Sequence, residues 1–156
     1  MFVYAIGKLV LCSKIKKIVN IKEFLRSNIN NLAIASIKHA PYGIAAREFL
    51  INSDLWDHIS QKIIYGENIN TVLHYVVTNS VDSGIIAMSQ LMLINDTPNQ
   101  INNFIEIPQE LYNPLQQAAI LLKNAQNNDM AYKFLDFLKR KDIQEYILNA
   151  GYYHVI

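Results

Sequence analysis

Leu32–Leu50, with the sequence LAIASIKHAPYGIAAREFL, decides the fold of this 156-residue chain. Its first six residues are apolar or small and include no turn former, which is typical of a short, fully buried strand. Lys38–Pro41 interrupts that run. From residue 43 onward, apolar residues recur at helical spacing. The segment is therefore predicted to form a strand, a tight loop and a helix that begins at Pro41 or Tyr42.

The start of this predicted helix is a candidate anion site. The N–H groups of a first helical turn have no partner inside the helix, and the positive end of the helix dipole lies behind them. Pro41 has no N–H to lose, and Gly43 would let a ligand approach the backbone closely. The alternative is an ordinary connection from strand to helix, because most α/β crossovers begin in this way and few of them bind anything.

A second unit of the same kind follows. Ile63–Tyr65 is predicted to be a strand, and Asn68 is a good N-cap for a helix whose first free N–H belongs to Ile69. Residues 84–88 are predicted to form another buried strand. Alternating strands and helices indicate parallel pairing, which places both helix starts at one edge of the sheet. Ligands of open α/β sheets bind at that edge.

Further elements are predicted along the rest of the chain. They are extended segments on both sides of Gly7, a helix capped by Asn20, a helical turn at 55–59, strands at 104–107 and 117–122, a helix capped by Asn127 or Asn128, and a last helix from 142 to 150 that stops at Gly151.

Composition excludes several classes of function. Hydrophobic residues make up 51% of the chain, yet no apolar run approaches the roughly 20 residues that span a bilayer, so no membrane insertion is expected. The net charge is +1, with basic and acidic residues scattered through the chain, so nucleic acid is not an expected partner. The chain contains no GxGxxG, Walker, GxSxG or HExxH motif and no marked pair of carboxylates, so we expect no enzyme.

Metal and disulfide chemistry are not expected either. Cys12 is the only cysteine, and its apolar surroundings in the sequence predict a buried small hydrophobe. The four histidines lack the spacing of metal ligands. Residues 1–12 have no basic segment before the apolar run and contain Lys8 in its middle, so they are predicted to be a strand and not a signal peptide.

The segment Asn31–Gly43 resembles the signature of periplasmic molybdate-binding proteins, the substrate-binding components of molybdate ABC transporters, which share His-Ala-Pro-Tyr-Gly or a close variant. Further matches follow in the same order along nearly the whole chain. They are residues 7–13 (where the family usually has Trp at position 12), 55–56, 65–68, 84–90, 119–123, 134–139 and 151–152.

The resemblance implies an α/β fold of the periplasmic-binding-protein type II class, in which two lobes close on a tetrahedral oxyanion. By its alignment, residues 1–12 are hinge strands, 13–99 form a complete second lobe, and 100–156 return into a first lobe that is partial here. It also implies that the backbone N–H groups of Tyr42 and Ile69 bind molybdate or tungstate. Some family members add a tyrosine hydroxyl at the position of Ala87, which cannot donate, while others have tyrosine at position 42, as here. Glu67 is expected to be a loop or capping residue, since a carboxylate would repel the anion.

Three functions follow as hypotheses. The first is binding of molybdate or tungstate for an ABC transporter permease in the periplasm, with no cofactor and no metal beyond the oxyanion itself. The second is a truncated or split-gene remnant, and the third is a ligand-sensing domain of a transcription regulator, for which no helix-turn-helix is predicted. Two charge-assisted hydrogen bonds provide about 3–6 kcal/mol, whereas a micromolar complex requires about 8 kcal/mol. This chain by itself is therefore expected to bind at millimolar concentrations or more weakly.

Overall fold

The computed structural model of the chain describes residues 1–27 and 29–155. The strands are β1 (Phe2–Gly7), β2 (Leu9–Cys12), β3 (Leu32–Ala35), β4 (Ile63–Gly66), β5 (Ser83–Ala87), β6 (Phe104–Glu106), β7 (Leu115–Ala119) and β8 (Tyr152–Tyr153). The α-helices are α1 (Ile21–Arg26), α2 (Pro41–Asn52), α3 (Trp56–Ile59), α4 (Ile69–Val77), α5 (Met88–Ile94), α6 (Asp129–Lys139) and α7 (Lys141–Asn149). Three short 3-10 turns lie at Ser60–Lys62, Gln109–Leu111 and Lys123–Ala125.

The strands form two sheets. A three-stranded sheet has the order β7-β1-β8, and a five-stranded sheet has the order β4-β3-β5-β2-β6. Strand β3 pairs in parallel with both β4 and β5, which confirms the predicted parallel pairing. Strand β2 pairs antiparallel with β5 and β6, and this part of the sheet was not predicted. Lys8 alone separates β1 from β2, so the chain crosses from one sheet to the other within a single residue.

The five-stranded sheet is covered on both faces, as the unbroken apolar run that contains β3 predicts. Alternate residues of each strand point to opposite faces and contribute to two cores. The first core includes Leu9, Leu11, Leu32, Ile34 and Ile85, together with Phe49 and Leu50 of α2. The second core includes Val10, Cys12, Ala33, Ala35 and Ile86, together with Val72 and Val76 of α4. Helices α2 and α4 therefore cover opposite faces of the sheet.

Several predicted strands end earlier in the structure. The strands predicted at 32–37 and 104–107 end at Ala35 and Glu106. The strand predicted at 84–88 ends at Ala87, and Met88 begins helix α5, which was not predicted. The strand predicted at 117–122 is β7, which ends at Ala119 because its pairing with β1 runs only from Gly7↔Leu115 to Phe2↔Ala119. Beyond that pairing, Ile120 is 67% exposed.

The predicted caps are confirmed. The side chains of Asn20, Asn68 and Asn128 accept hydrogen bonds from the first turns of α1, α4 and α6. Gly151 follows α7 with φ +95°, the backbone conformation expected just after a helix end. Among the described residues, none of the helices is both long enough and apolar enough to cross a membrane.

Candidate anion-binding site

The first turn of α2 leaves one backbone donor open. Strand β3 ends at Ala35, and α2 begins at Pro41 after an extended N-cap residue, Ala40. The carbonyl of Ala40 accepts hydrogen bonds from the N–H groups of Gly43 (2.9 Å) and Ile44 (3.0 Å). Pro41 has no N–H, and that of Tyr42 has no partner among residues 1–27 and 29–155. Tyr42 therefore presents the first available donor of this helix.

The absence of a side chain at position 43 allows this arrangement. A Cβ atom at Gly43 would clash with the carbonyl oxygens of Ala35 and Ser36 and lie 2.6 Å from the carbonyl carbon of Ala35. These are backbone atoms, which cannot rotate away as a flexible side chain can. Gly43 therefore lets the first turn of α2 lie directly against the end of β3.

The first turn of α4 also leaves one backbone donor open. The Asn68 Oδ1 atom accepts hydrogen bonds from the N–H groups of Asn70 (3.0 Å) and Thr71 (3.1 Å), and from the Thr71 hydroxyl (3.3 Å). The cap thereby occupies two of the orphan donors of this helix. The N–H of Ile69 has no hydrogen-bond partner in the part of the chain that the structure describes.

The sheet brings these two helix starts to one edge. Strands β3 and β4 are parallel neighbours, and their last residues, Ala35 and Gly66, are paired in register. The loops that lead to α2 and α4 therefore leave the sheet side by side. From β3 the chain continues to β4 on one side, and it later returns to β5 on the other. Such a reversal of strand order leaves a crevice at the carboxyl ends of the strands.

The side chain of Tyr42 lies against Gly7, at the crossover between the two sheets. A Cβ atom added to Gly7 would overlap the Tyr42 hydroxyl oxygen and lie 3.0 Å from the ring carbon that bears it. Burial, followed by the nearby phenols of Tyr152 and Tyr112, raises the pKa of the Tyr42 hydroxyl above its ordinary value. The phenol is therefore neutral.

The surroundings of the two donors contain few charges. Glu67 is exposed at the loop before α4, and it makes no ion pair among the described residues. Lys38 and His39 are exposed in the loop before α2. The described residues hold no group of three or more His, Cys, Asp or Glu side chains that could bind a metal ion. The two unpartnered donors are thus neutral backbone N–H groups.

The sequence analysis missed one buried polar residue beside this site. Gln90, in the first turn of α5, is only 7% exposed. Its Nε2 atom donates to the carbonyl of Ile69 (3.1 Å) and to Asn70 Oδ1 (3.0 Å), and its Oε1 atom accepts from the N–H of Ala87 (3.1 Å). No local pattern marks this role, because the partners in α4 lie 20 and 21 residues earlier in the chain.

Comparison with known proteins identifies the family. A family model described as "Bacterial extracellular solute-binding protein" matches residues 2–153, nearly the whole chain. This chain belongs to that family. The members are solute-binding proteins, which supports the expectation that the chain is not an enzyme. The predicted fold class, a periplasmic-binding-protein-like α/β fold, is confirmed as well.

The predicted resemblance to molybdate-binding proteins is also confirmed. The chain is 34% identical to the molybdate-binding protein ModA of Rhodobacter capsulatus over 97% of its own length and 58% of that protein. It is 33% identical to ModA of Azotobacter vinelandii over 97% of its length and 60% of that protein. The solved structure of the A. vinelandii periplasmic molybdate-binding protein superposes with a TM-score of 0.84 and 26% identity, covering 99% of this chain and 68% of that one. The chain thus spans about three-fifths of the length of these curated relatives.

Proposed function

We propose that this chain binds a tetrahedral oxyanion, molybdate or tungstate, through the backbone N–H groups of Tyr42 and Ile69. In this role it serves as the substrate-binding component of an ABC transporter, with the transporter permease as its partner and the periplasm as its location. The observation that carries the proposal is the pair of unpartnered donors at neighbouring helix starts of one sheet edge. The molybdate-binding names of its relatives support the choice of ligand.

Neutral donors suit this ligand chemically. Molybdate is a dianion at neutral pH and offers only hydrogen-bond acceptors, so N–H groups satisfy it without a buried counter-charge, whose desolvation is costly. Both helices have enough length for a dipole, with 12 residues in α2 and nine in α4. The first turns of both helices contain no acidic residue that would repel the anion.

A titration monitored by NMR tests the proposal. We expect the ¹⁵N-labelled chain to show the largest amide shifts at Tyr42 and Ile69 when molybdate is added, and smaller shifts with sulfate at equal ionic strength. Because two hydrogen bonds predict a Kd near millimolar, and the variants below bind more weakly, the titration extends to about 100 mM at constant ionic strength. Tungstate should reproduce the molybdate shifts. If neither amide responds at the highest concentration, the proposed site is wrong.

A second candidate function is that this chain binds the anion tightly only together with a further polypeptide from the same family. The exposed apolar side chains of α6 favour it, because Met130 is 68% and Phe134 57% exposed on one helix. Addition of the part of the R. capsulatus relative that lies outside the matched region tests this candidate. A Kd that falls from millimolar to micromolar supports it, whereas an unchanged Kd contradicts it.

A further inference from the structure

We propose that Gln90 is a positioning residue of the anion site, which holds the first turn of α4 so that the N–H of Ile69 faces the ligand. The inference rests on the proposed function of that N–H. Gln90 itself does not donate to the anion, because each polar atom of its side chain is engaged with the protein. It acts on the ligand through the backbone of its neighbours.

The geometry of its amide group carries the argument. Gln90 Nε2 has two hydrogens, and it donates to two acceptors on α4, the carbonyl of Ile69 and the side chain of Asn70. Gln90 Oε1 accepts from the N–H of Ala87, the last residue of β5. One side chain thus connects the start of α4 to the end of β5. Gln90 itself is only 7% exposed, so leaving its side-chain amide without hydrogen bonds would be costly.

The need for such a connection follows from how α4 is held elsewhere. Val72 and Val76 anchor the helix by apolar packing, and Ile69 of the first turn packs against the same core. Such packing has no preferred direction, so it does not by itself set the orientation of the Ile69 N–H. The cap by Asn68 is a contact within the same segment, so it moves together with the helix. The bonds from Gln90 come from a different element of the sheet. They therefore fix the first turn of α4 relative to β5.

The test compares the full chain with Gln90→Met, which keeps the side-chain length and removes all three hydrogen bonds. Gln90→Glu is the second variant, since it keeps the acceptor for Ala87 and loses the two donors toward α4. Gln109→Met is the matched control: Gln109 is half-buried and donates to the carbonyl of Tyr112, outside α4 and α5. Each protein is titrated with molybdate while its amide shifts and its thermal midpoint are recorded.

We expect Gln90→Met to weaken molybdate binding about tenfold, equal to about 1.4 kcal/mol. The shift of the Ile69 amide should shrink, while that of Tyr42, on a different helix, persists at saturation. Gln90→Glu should weaken binding at least as much as Gln90→Met, because its carboxylate also adds a negative charge near the anion. Gln109→Met should bind as the unmodified chain does even if its midpoint falls. A purely structural role would lower the midpoint of Gln90→Met and leave both amide shifts and the Kd unchanged, which would overturn the inference. Absence of any shift in the unmodified chain would instead refute the proposed function, and the positioning role with it.

Discussion

Replacement of Ile69 by proline removes one ligand donor and leaves the helix intact. Ile69 is the first residue of α4, a position at which proline is favoured because its missing N–H has no helical partner. The preceding residue, Asn68, has φ −144° and ψ 176°, an extended conformation compatible with a following proline. The substitution therefore tests the N–H itself.

The expected magnitude follows from the nature of the lost contact. A hydrogen bond to a charged group contributes about 1.5–3 kcal/mol, so Ile69→Pro should raise the Kd for molybdate by a factor of about 10 to 150. Ile69→Ala keeps the N–H and removes only the half-buried side chain, which packs against the second core. Its Kd should stay within about twofold of the unmodified chain, although its stability falls by about 1 kcal/mol.

The assay is the same molybdate titration by NMR, with thermal unfolding measured in parallel. Asp129→Pro is the matched control, because Asp129 is the first residue of α6 and follows an extended asparagine cap in the same way. It should unfold near the temperature of the unmodified chain and bind molybdate with the same Kd. If Ile69→Pro folds and binds as tightly as Ile69→Ala does, the N–H of Ile69 is not a ligand and the reasoning fails.

Three further substitutions give distinct outcomes. Asn68→Asp keeps the cap of α4 but adds a negative charge beside the ligand. The free energy of unfolding should therefore stay the same, while the Kd for molybdate rises about five- to thirtyfold. Asn128→Asp on α6 is the control and should leave the Kd unchanged. Gly43→Ala forces a Cβ against the carbonyl oxygen of Ala35, so the free energy of unfolding, measured in urea, should fall by about 1–3 kcal/mol. An unchanged free energy of unfolding would contradict the close approach of α2 to β3. Asp82→Asn should lower stability at pH 7 and flatten its loss in acid, measured by urea unfolding from pH 7 down to about pH 3.

The sign of the Asp82 prediction comes from its surroundings. Burial by itself would raise the pKa of this carboxyl, but hydrogen bonds from the Asn30 N–H (2.7 Å) and the Lys16 ammonium (2.9 Å) lower it below 3.8 overall. A pKa that is lower in the folded than in the unfolded chain stabilises the fold above the unfolded value. That contribution disappears as the pH falls through the folded value. A steep acid transition retained by Asp82→Asn would show that other groups cause it.

The sequence predicts those parts of the fold whose signals are local. The unbroken apolar run at 32–37, the break at Pro41 and the caps at Asn20 and Asn68 each lie within a few residues of the element that they mark. The strand β3, the start of α2 and the start of α4 were therefore predictable, and so was Ile69 as the first free donor of α4. The N–H of Tyr42 was named as a donor only through the resemblance to the family. Their assignment as ligands is still a prediction, as are the domain limits at residues 12 and 99.

Other parts depend on contacts between distant segments. Helix α5 has Ala87 at its N-cap position, which is not one of the residues that mark a helix start in a sequence, so no capping signal shows that the strand stops and α5 begins at Met88. The limits of β7 are set by its partner β1, more than 100 residues earlier. The role of Gln90 depends on two acceptors in another helix. Periodicity and capping rules describe neighbours along the chain, and they carry no information about such partners.

The reaction rate of the only thiol in the chain, that of Cys12, measures how often the sheet opens. Cys12 is fully buried in β2, paired with Gly84 on one side and with Phe104 on the other, and burial raises its pKa to about 12. An alkylating reagent therefore reacts only after β2 has separated from a neighbouring strand, and one added mass per molecule reports each event. If an anion binds only the chain whose β2 is paired in the sheet, that anion at a concentration of ten times its Kd should slow the labelling about tenfold. The rate of alkylation at Cys12, in the middle of the sheet, would then measure how fully the anion site at the edge of the sheet is occupied.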